Sequence, residues 1–187
     1  MSGGSGLTGF VIYNCVFYNF SWHNCYTGST DNAITIVYCT SYGAGGNGYW
    51  SAYNDTTIYN SIAYNNTSDD FSDSFTAASN YNASEDGSEP GANGWSNSVD
   101  GYTPDFVNTG AGTENFHLQV TSDCIGAGTD LSGLGYTNDI DGDARDGSTP
   151  DIGADEYVVA EEGRTTKNTD AAPLGDSLGM SFRMGGS

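Results

Sequence analysis

Three stretches of this sequence superimpose without gaps: IYNCVFYN (Ile12–Asn19), IVYCTSYG (Ile36–Gly43) and IYNSIAYN (Ile58–Asn65). Their starts lie 24 and then 22 residues apart. Ile12, Ile36 and Ile58 share one column, Cys15, Cys39 and Ser61 a second, and Tyr18, Tyr42 and Tyr64 a third. Repetition at this period is the mark of a solenoid, in which each turn buries its apolar face only by stacking on its neighbours.

Composition selects the kind of coil. Leu7 is the only leucine before Leu118, which argues against a leucine-rich repeat, and good helix formers are scarce. Short β-branched and aromatic runs broken by Asn and Gly suggest strands meeting at sharp corners. Asn14, Asn19, Asn60 and Asn65 fall where those corners should be, and asparagine tolerates the left-handed backbone region. The sequence therefore predicts an all-β fold, a short parallel β-helix of about three recognisable coils.

The coils and the segments C-terminal to them resemble the last turns of the right-handed parallel β-helix proteins, the pectate-lyase-like superfamily. TPDFVNTGAGTENFHLQVTSDCIGAGTDL (Thr103–Leu131) and DIDGDARDGSTPDIGADEY (Asp139–Tyr157) are similar to the irregular C-terminal closing region of bacterial and phage β-helix proteins. Asp123 and Cys124 stand where that pattern has Ser-Pro. The resemblance spans about residues 9–157. It implies a fold and leaves the chemistry open, because one fold hosts many functions.

The expected organisation is a flexible segment 1–9, a β-helix domain 10–157 with a long polar loop excursion near 72–104, and an extended tail 158–187. With no capping helix before Leu7, the first coil is expected to be covered by another subunit, a larger partner or an upstream part of the protein.

Among 187 residues, 24 are acidic and only Arg145, Arg164, Lys167 and Arg183 are basic, for a net charge of −20. Nucleic acid and membrane surfaces are disfavoured as partners, since both need clustered positive charge. No apolar run approaches the roughly 20 residues of a membrane span. The N-terminus lacks a secretion-signal pattern, which leaves cytosolic synthesis or a signal lying upstream. The Asn-x-Ser/Thr triplets at Asn19, Asn54, Asn65, Asn66 and Asn82 are read as products of composition. Cys15, Cys25, Cys39 and Cys124 fit no close-paired zinc spacing; they read as buried free thiols, with a disulfide as the alternative.

Candidate chemistry lies in four places. Asp139, Asp141, Asp143 and Asp146 are spaced like oxygen ligands for calcium around Gly142. The rival reading has Arg145 reaching Asp151, Asp155 or Glu156 and pinning the closing region, as a planar guanidinium favours; this one is preferred. Asp69, Asp70 and Asp73 weakly resemble the adjacent aspartates of β-helix hydrolases, which work through carboxylates a few ångströms apart, and a solvated acidic turn explains them better. His23 and His117 read as structural. Trp22, Trp50 and Trp95 could stack on sugar faces or simply pack on the coils.

The resulting expectation is a non-enzymatic structural protein of a phage virion, assembled in the host cytoplasm. It would be a head decoration, fibre or spike component, homo-oligomeric with a trimer favoured, that binds other virion proteins or itself and contacts surface glycans. No cofactor is expected, with calcium as the alternative. The alternative is the C-terminal part of a secreted or surface carbohydrate-active or glycan-binding β-helix protein, with polysaccharide hydrolysis as the activity to test.

Overall fold

A computed structural model describes residues 9–28 and 33–159 of the chain. Apart from Gly9, Val158 and Val159, the expected flexible N-terminus and extended tail lie outside the described residues.

The first coil carries β1 (Phe10–Tyr13), β2 (Val16–Tyr18) and β3 (Cys25–Thr27), and the second begins with β4 (Ile34–Val37) and β5 (Thr40–Tyr42). β6 (Tyr49–Tyr59) ends the second coil and opens the third, which continues through β7 (Ile62–Tyr64) into β8 (Phe71–Phe75). All pairings among these strands are parallel. Ile12 pairs with Ile36 and Ile36 with Ile58, while Tyr18 pairs with Tyr42 and Tyr42 with Tyr64. The protein is thus a parallel β-solenoid of about three turns, and its repeat columns are physical columns.

The corners form where the sequence placed them. Asn14, Asn19, Asn60 and Asn65 all take positive φ, between 47° and 57°. Gly43 (φ 66°) fills the second corner of the middle coil, and Tyr38 (φ 50°) fills the first. A tyrosine is unfavourable in that region, and the contacts that hold it come from Arg145 and Thr129 of the closing region.

Alternation along the strands divides the columns between two cores. Ile12, Cys15, Phe17, Ile36, Cys39, Ile58, Ala63, Tyr49 and Phe71 point into the solenoid. Val16, Tyr18, Tyr42, Ile62 and Tyr64 point outward from the side built by β2, β5 and β7. There they pack against Phe106 of β11 (Phe106–Asn108), Phe116 and Leu118 of β12 (Asn115–Leu118), Cys124 and Ile152. The closing region is a wall along one side of the coils. It comes close to them at Gly153 (φ 109°), where a Cβ would lie 2.6 Å from Ile62 Cδ1.

Residues 72–104, expected to leave the coils as a loop, extend them instead. β9 (Ala83–Ser84) pairs in parallel with β7, and β10 (Trp95–Ser96), followed by the short helix α1 (Asn97–Asp100), pairs with β9. These rungs show no apolar period because each is only two residues long and relies on polar stacking. Cys15 N–H meets Cys39 Sγ (3.5 Å), Cys39 N–H meets Ser61 Oγ (3.2 Å), and Ser61 N–H meets Asn82 Oδ1 (3.1 Å). Each corner side chain accepts the backbone N–H of the preceding coil, so Asn82 continues the Cys/Cys/Ser column. All four cysteines are free.

β1, β2 and β3 each have one strand neighbour, so the first coil presents an open edge among the described residues. Phe10 and Val11 stand exposed along it.

Ile58 is fully buried between coils. Ile58→Ala is expected to lower the unfolding free energy by about 2–5 kcal/mol in a denaturant titration. Val11→Ala, at the exposed edge, should stay within about 0.5 kcal/mol of the parent. Equal losses at the two positions would contradict the stacked-column core.

Candidate functional site

An aromatic cleft forms on the outside of the first two coils. The second-coil turn GAGGNG (Gly43–Gly48) lies directly on the first-coil turn SWHN (Ser21–Asn24). Gly45 N–H donates to Phe20 O, Gly46 N–H to Trp22 O and Asn47 N–H to His23 Nδ1. A Cβ on Gly45 would sit 2.4 Å from Ser21 O, so only glycine allows this approach. The clamped turn presents Trp22 and His23 beside Tyr26 of β3 and Trp50 of β6, around a cavity of about 490 Å³. The rings run Trp22–His23–Trp50–Tyr26, with successive centroids 4.9, 4.7 and 4.9 Å apart.

Trp22 is 71% exposed, and Tyr26 is exposed as well. Trp50 is anchored by its indole N–H on Asp73. Because His23 Nδ1 accepts from Asn47, its Nε2 carries the proton of the neutral ring. That Nε2–H is buried, and no group among the described residues meets it. Large apolar rings around a cavity within the roughly 300–1,000 Å³ range of small-molecule sites can stack on a flat ligand.

Trp22 and Trp50 therefore meet in one place. Trp95 lies elsewhere, stacked on Tyr102 at 5.4 Å. His23 and Tyr26 complete the cleft. The signal for His23 was its place in the turn beneath GAGGNG, which spacing alone does not reveal.

The three aspartates proposed as a catalytic set have separate tasks. Asp69 accepts from Ser72 Oγ on the surface, and Asp73 holds Trp50. Asp70 is buried, with Oδ1 accepting from Asn66 Nδ2 (2.7 Å) and Oδ2 from Glu85 N–H (2.5 Å). Burial pushes its carboxyl up to about 7.

In the closing region Arg145 is buried and ties the chain end to the coils. Its guanidinium lies 3.8 Å from the Tyr38 ring centroid and donates to Asn14 Oδ1, to the carbonyls of Asn138, Gly153, Ala154 and Asp155, and to Glu156 Oε2 at 3.2 Å. Its one carboxylate partner is Glu156. Asp151 instead accepts the N–H groups of Gly126 and Tyr157, and Asp155 Oδ2 accepts that of Leu118. Burial raises Glu156 and pushes Asp151 up to about 7.

The four aspartates spaced like calcium ligands do not converge. Asp139 Oδ1 accepts from Asp141 and Asp143 N–H and its Oδ2 from Glu156 N–H. Asp146 Oδ1 caps Ser148 and Thr149. Asp141 turns to His117, with Oδ2 2.7 Å from Nε2, and Asp155 Oδ1 is 3.9 Å from the same nitrogen. Among the described residues, His117, Asp141 and Asp155 are the one group that brings three metal-capable atoms within 4.8 Å of one another. His117 on β12 precedes Asp141, which lies in a turn, by 24 residues, so no local motif announces it.

Comparison with protein-family models, with curated proteins and with solved structures returned no match.

Two outcomes are expected here. Asp70 and Asp151 have carboxyls raised above the ordinary 3.8, so the folded state holds their protons more tightly than the unfolded one. Their contribution to stability is greatest near pH 4 and declines as pH rises through about 7. The thermal midpoint should be higher at pH 5 than at pH 8, with a shallower slope in Asp70→Asn; a midpoint that climbs over that interval contradicts the assignment. Arg145→Ala leaves buried Glu156 without its cation and takes a donor from five other acceptors, and should cost about 3–5 kcal/mol in an unfolding titration.

Proposed function

We propose that this chain is a non-enzymatic glycan-binding β-solenoid, a structural component of a surface assembly such as a phage virion. The observation that carries the glycan part is the Trp22–His23–Trp50–Tyr26 cleft. Sugars offer flat apolar C–H faces, and exposed aromatic rings are the matching surface. Asp73 beside the cleft and a net charge of −20 oppose anionic polysaccharide, so a neutral glycan is the expected ligand. The separate structural tasks of Asp69, Asp70 and Asp73 favour binding over hydrolysis.

The assembly part rests on the open edge of the first coil. Unpaired strand edges invite another chain to continue the ladder, which a second copy, with a trimer favoured, or a neighbouring virion protein would do. Membership of the pectate-lyase-like superfamily is part of the same proposal, supported by the parallel coils and the closing-region motif. A secreted carbohydrate-active protein sharing these coils is the competing reading.

Isothermal titration against neutral and acidic polysaccharides tests the proposal. Binding to a neutral polymer is expected, weakened by about 1–3 kcal/mol in Trp22→Ala without a comparable loss of thermal stability. Preference for an acidic polymer, or release of reducing ends that Asp70→Asn abolishes, would replace it with the enzymatic reading.

A further inference from the structure

His117 of β12 is fixed in an unusual electrostatic position. Asn115 Oδ1 accepts the backbone N–H of His117 (3.1 Å), which identifies that atom as the oxygen of the amide. The same oxygen contacts His117 Nδ1. Nδ1 must therefore donate, and the neutral ring turns a bare Nε2 lone pair outward. What faces it is anionic oxygen: Asp141 Oδ2 at 2.7 Å and Asp155 Oδ1 at 3.9 Å.

Asp155 is 1% exposed, and among the described residues its Oδ1 has no hydrogen-bond partner. Its other oxygen is held by Leu118 N–H at 2.8 Å. A buried carboxylate oxygen left without a donor is costly. Here it points, together with a second carboxylate, at an imidazole lone pair. Three electron-rich atoms aimed at one small volume repel one another unless a cation lies among them.

We propose that His117 Nε2, Asp141 Oδ2 and Asp155 Oδ1 bind a divalent first-row transition-metal ion, zinc being the first candidate. Zinc bonds these donors at about 2.0–2.1 Å, which sets tetrahedral neighbours about 3.3 Å apart. The two distances to Nε2, 2.7 and 3.9 Å, straddle that value, each within about 0.6 Å of it. Asp141 is exposed on its turn and leaves a side open for water as a fourth ligand. An imidazole among the ligands disfavours calcium and magnesium, which prefer oxygen throughout. Asn115 on Nδ1 and Leu118 N–H on Asp155 supply the supporting contacts that orient metal ligands. The ion would tie together β12, the Asp139–Ala144 turn and the terminal segment, three parts of the wall that share no strand pairing with one another.

The test is titration of the metal-stripped full chain with Zn²⁺, read by calorimetry and by the thermal midpoint, with Ca²⁺ as comparison. One equivalent is expected to bind and to raise the midpoint, as any ligand specific to the folded state does. Asp141→Asn, a change on the surface, should fold with an unchanged far-ultraviolet spectrum yet weaken Zn²⁺ at least about tenfold, the lower end of what losing a supporting partner costs. His117→Gln should do the same. Asp143→Asn, in the same turn but outside the cluster, should bind as the parent does. Absence of binding, equal binding by Asp141→Asn, equal weakening by Asp143→Asn, or equal competition by Ca²⁺ would each overturn the proposal; the first would leave a proton as the cation between the three groups.

Discussion

A coil of this solenoid cannot satisfy its own backbone. Its strands pair only with the coils before and after, so every N–H and C=O directed along the stack must find a partner there. That requirement fixes the path length of each turn, and the register steps of 24, 22 and 21 residues follow from it. It also explains why the corner column carries hydrogen-bonding side chains. At Cys15, Cys39 and Ser61 the chain turns and strand pairing lapses, and the side chains of Cys39, Ser61 and Asn82 on the following coils take over the acceptor role. The aromatic cleft is a by-product of the same constraint, since the glycine turn that seats the second coil on the first is what clamps Trp22 and His23 in place.

Stacking alone leaves one side of the prism apolar. Tyr18, Tyr42 and Tyr64 face outward, and without the wall of β11, β12 and the segment around Ile152 they would meet water. Wall and coils are joined at the first corner column, where Asn14, Tyr38 and Asn60 receive Arg145, Thr129 and Gly153. Tyr38 keeps its left-handed backbone because its ring is covered by the guanidinium and its hydroxyl donates to Thr129 O. One arginine thereby connects residues 131 positions apart.

The scarcity of basic residues shapes the rest. With Arg145 as the only arginine or lysine among the described residues, the carboxylates turn to backbone N–H groups: Asp139, Asp146 and Asp151 each accept two or more. Such donors stabilise charge well, yet burial still raises Asp70 and Asp151. Where donors run short, at Asp155 Oδ1, the imbalance is left for a cation.

The repeat, the strands, the asparagine corners and the thiol column could be read from the sequence because each depends on residues a fixed distance apart. Local chemistry was legible for the same reason, with Arg145 as a closing residue. Other features depended on pairing between distant segments, and no period encodes that. Folding turned residues 72–104 into further rungs, gave Arg145 to Glu156 rather than to Asp151 or Asp155, separated Trp95 from the other tryptophans, and drew Asp141 out of its own loop toward His117. The order of residues was enough to say how the coils stack, since stacking repeats the same contacts at each step. What the wall brings to those coils emerged on folding alone, since its contacts occur once.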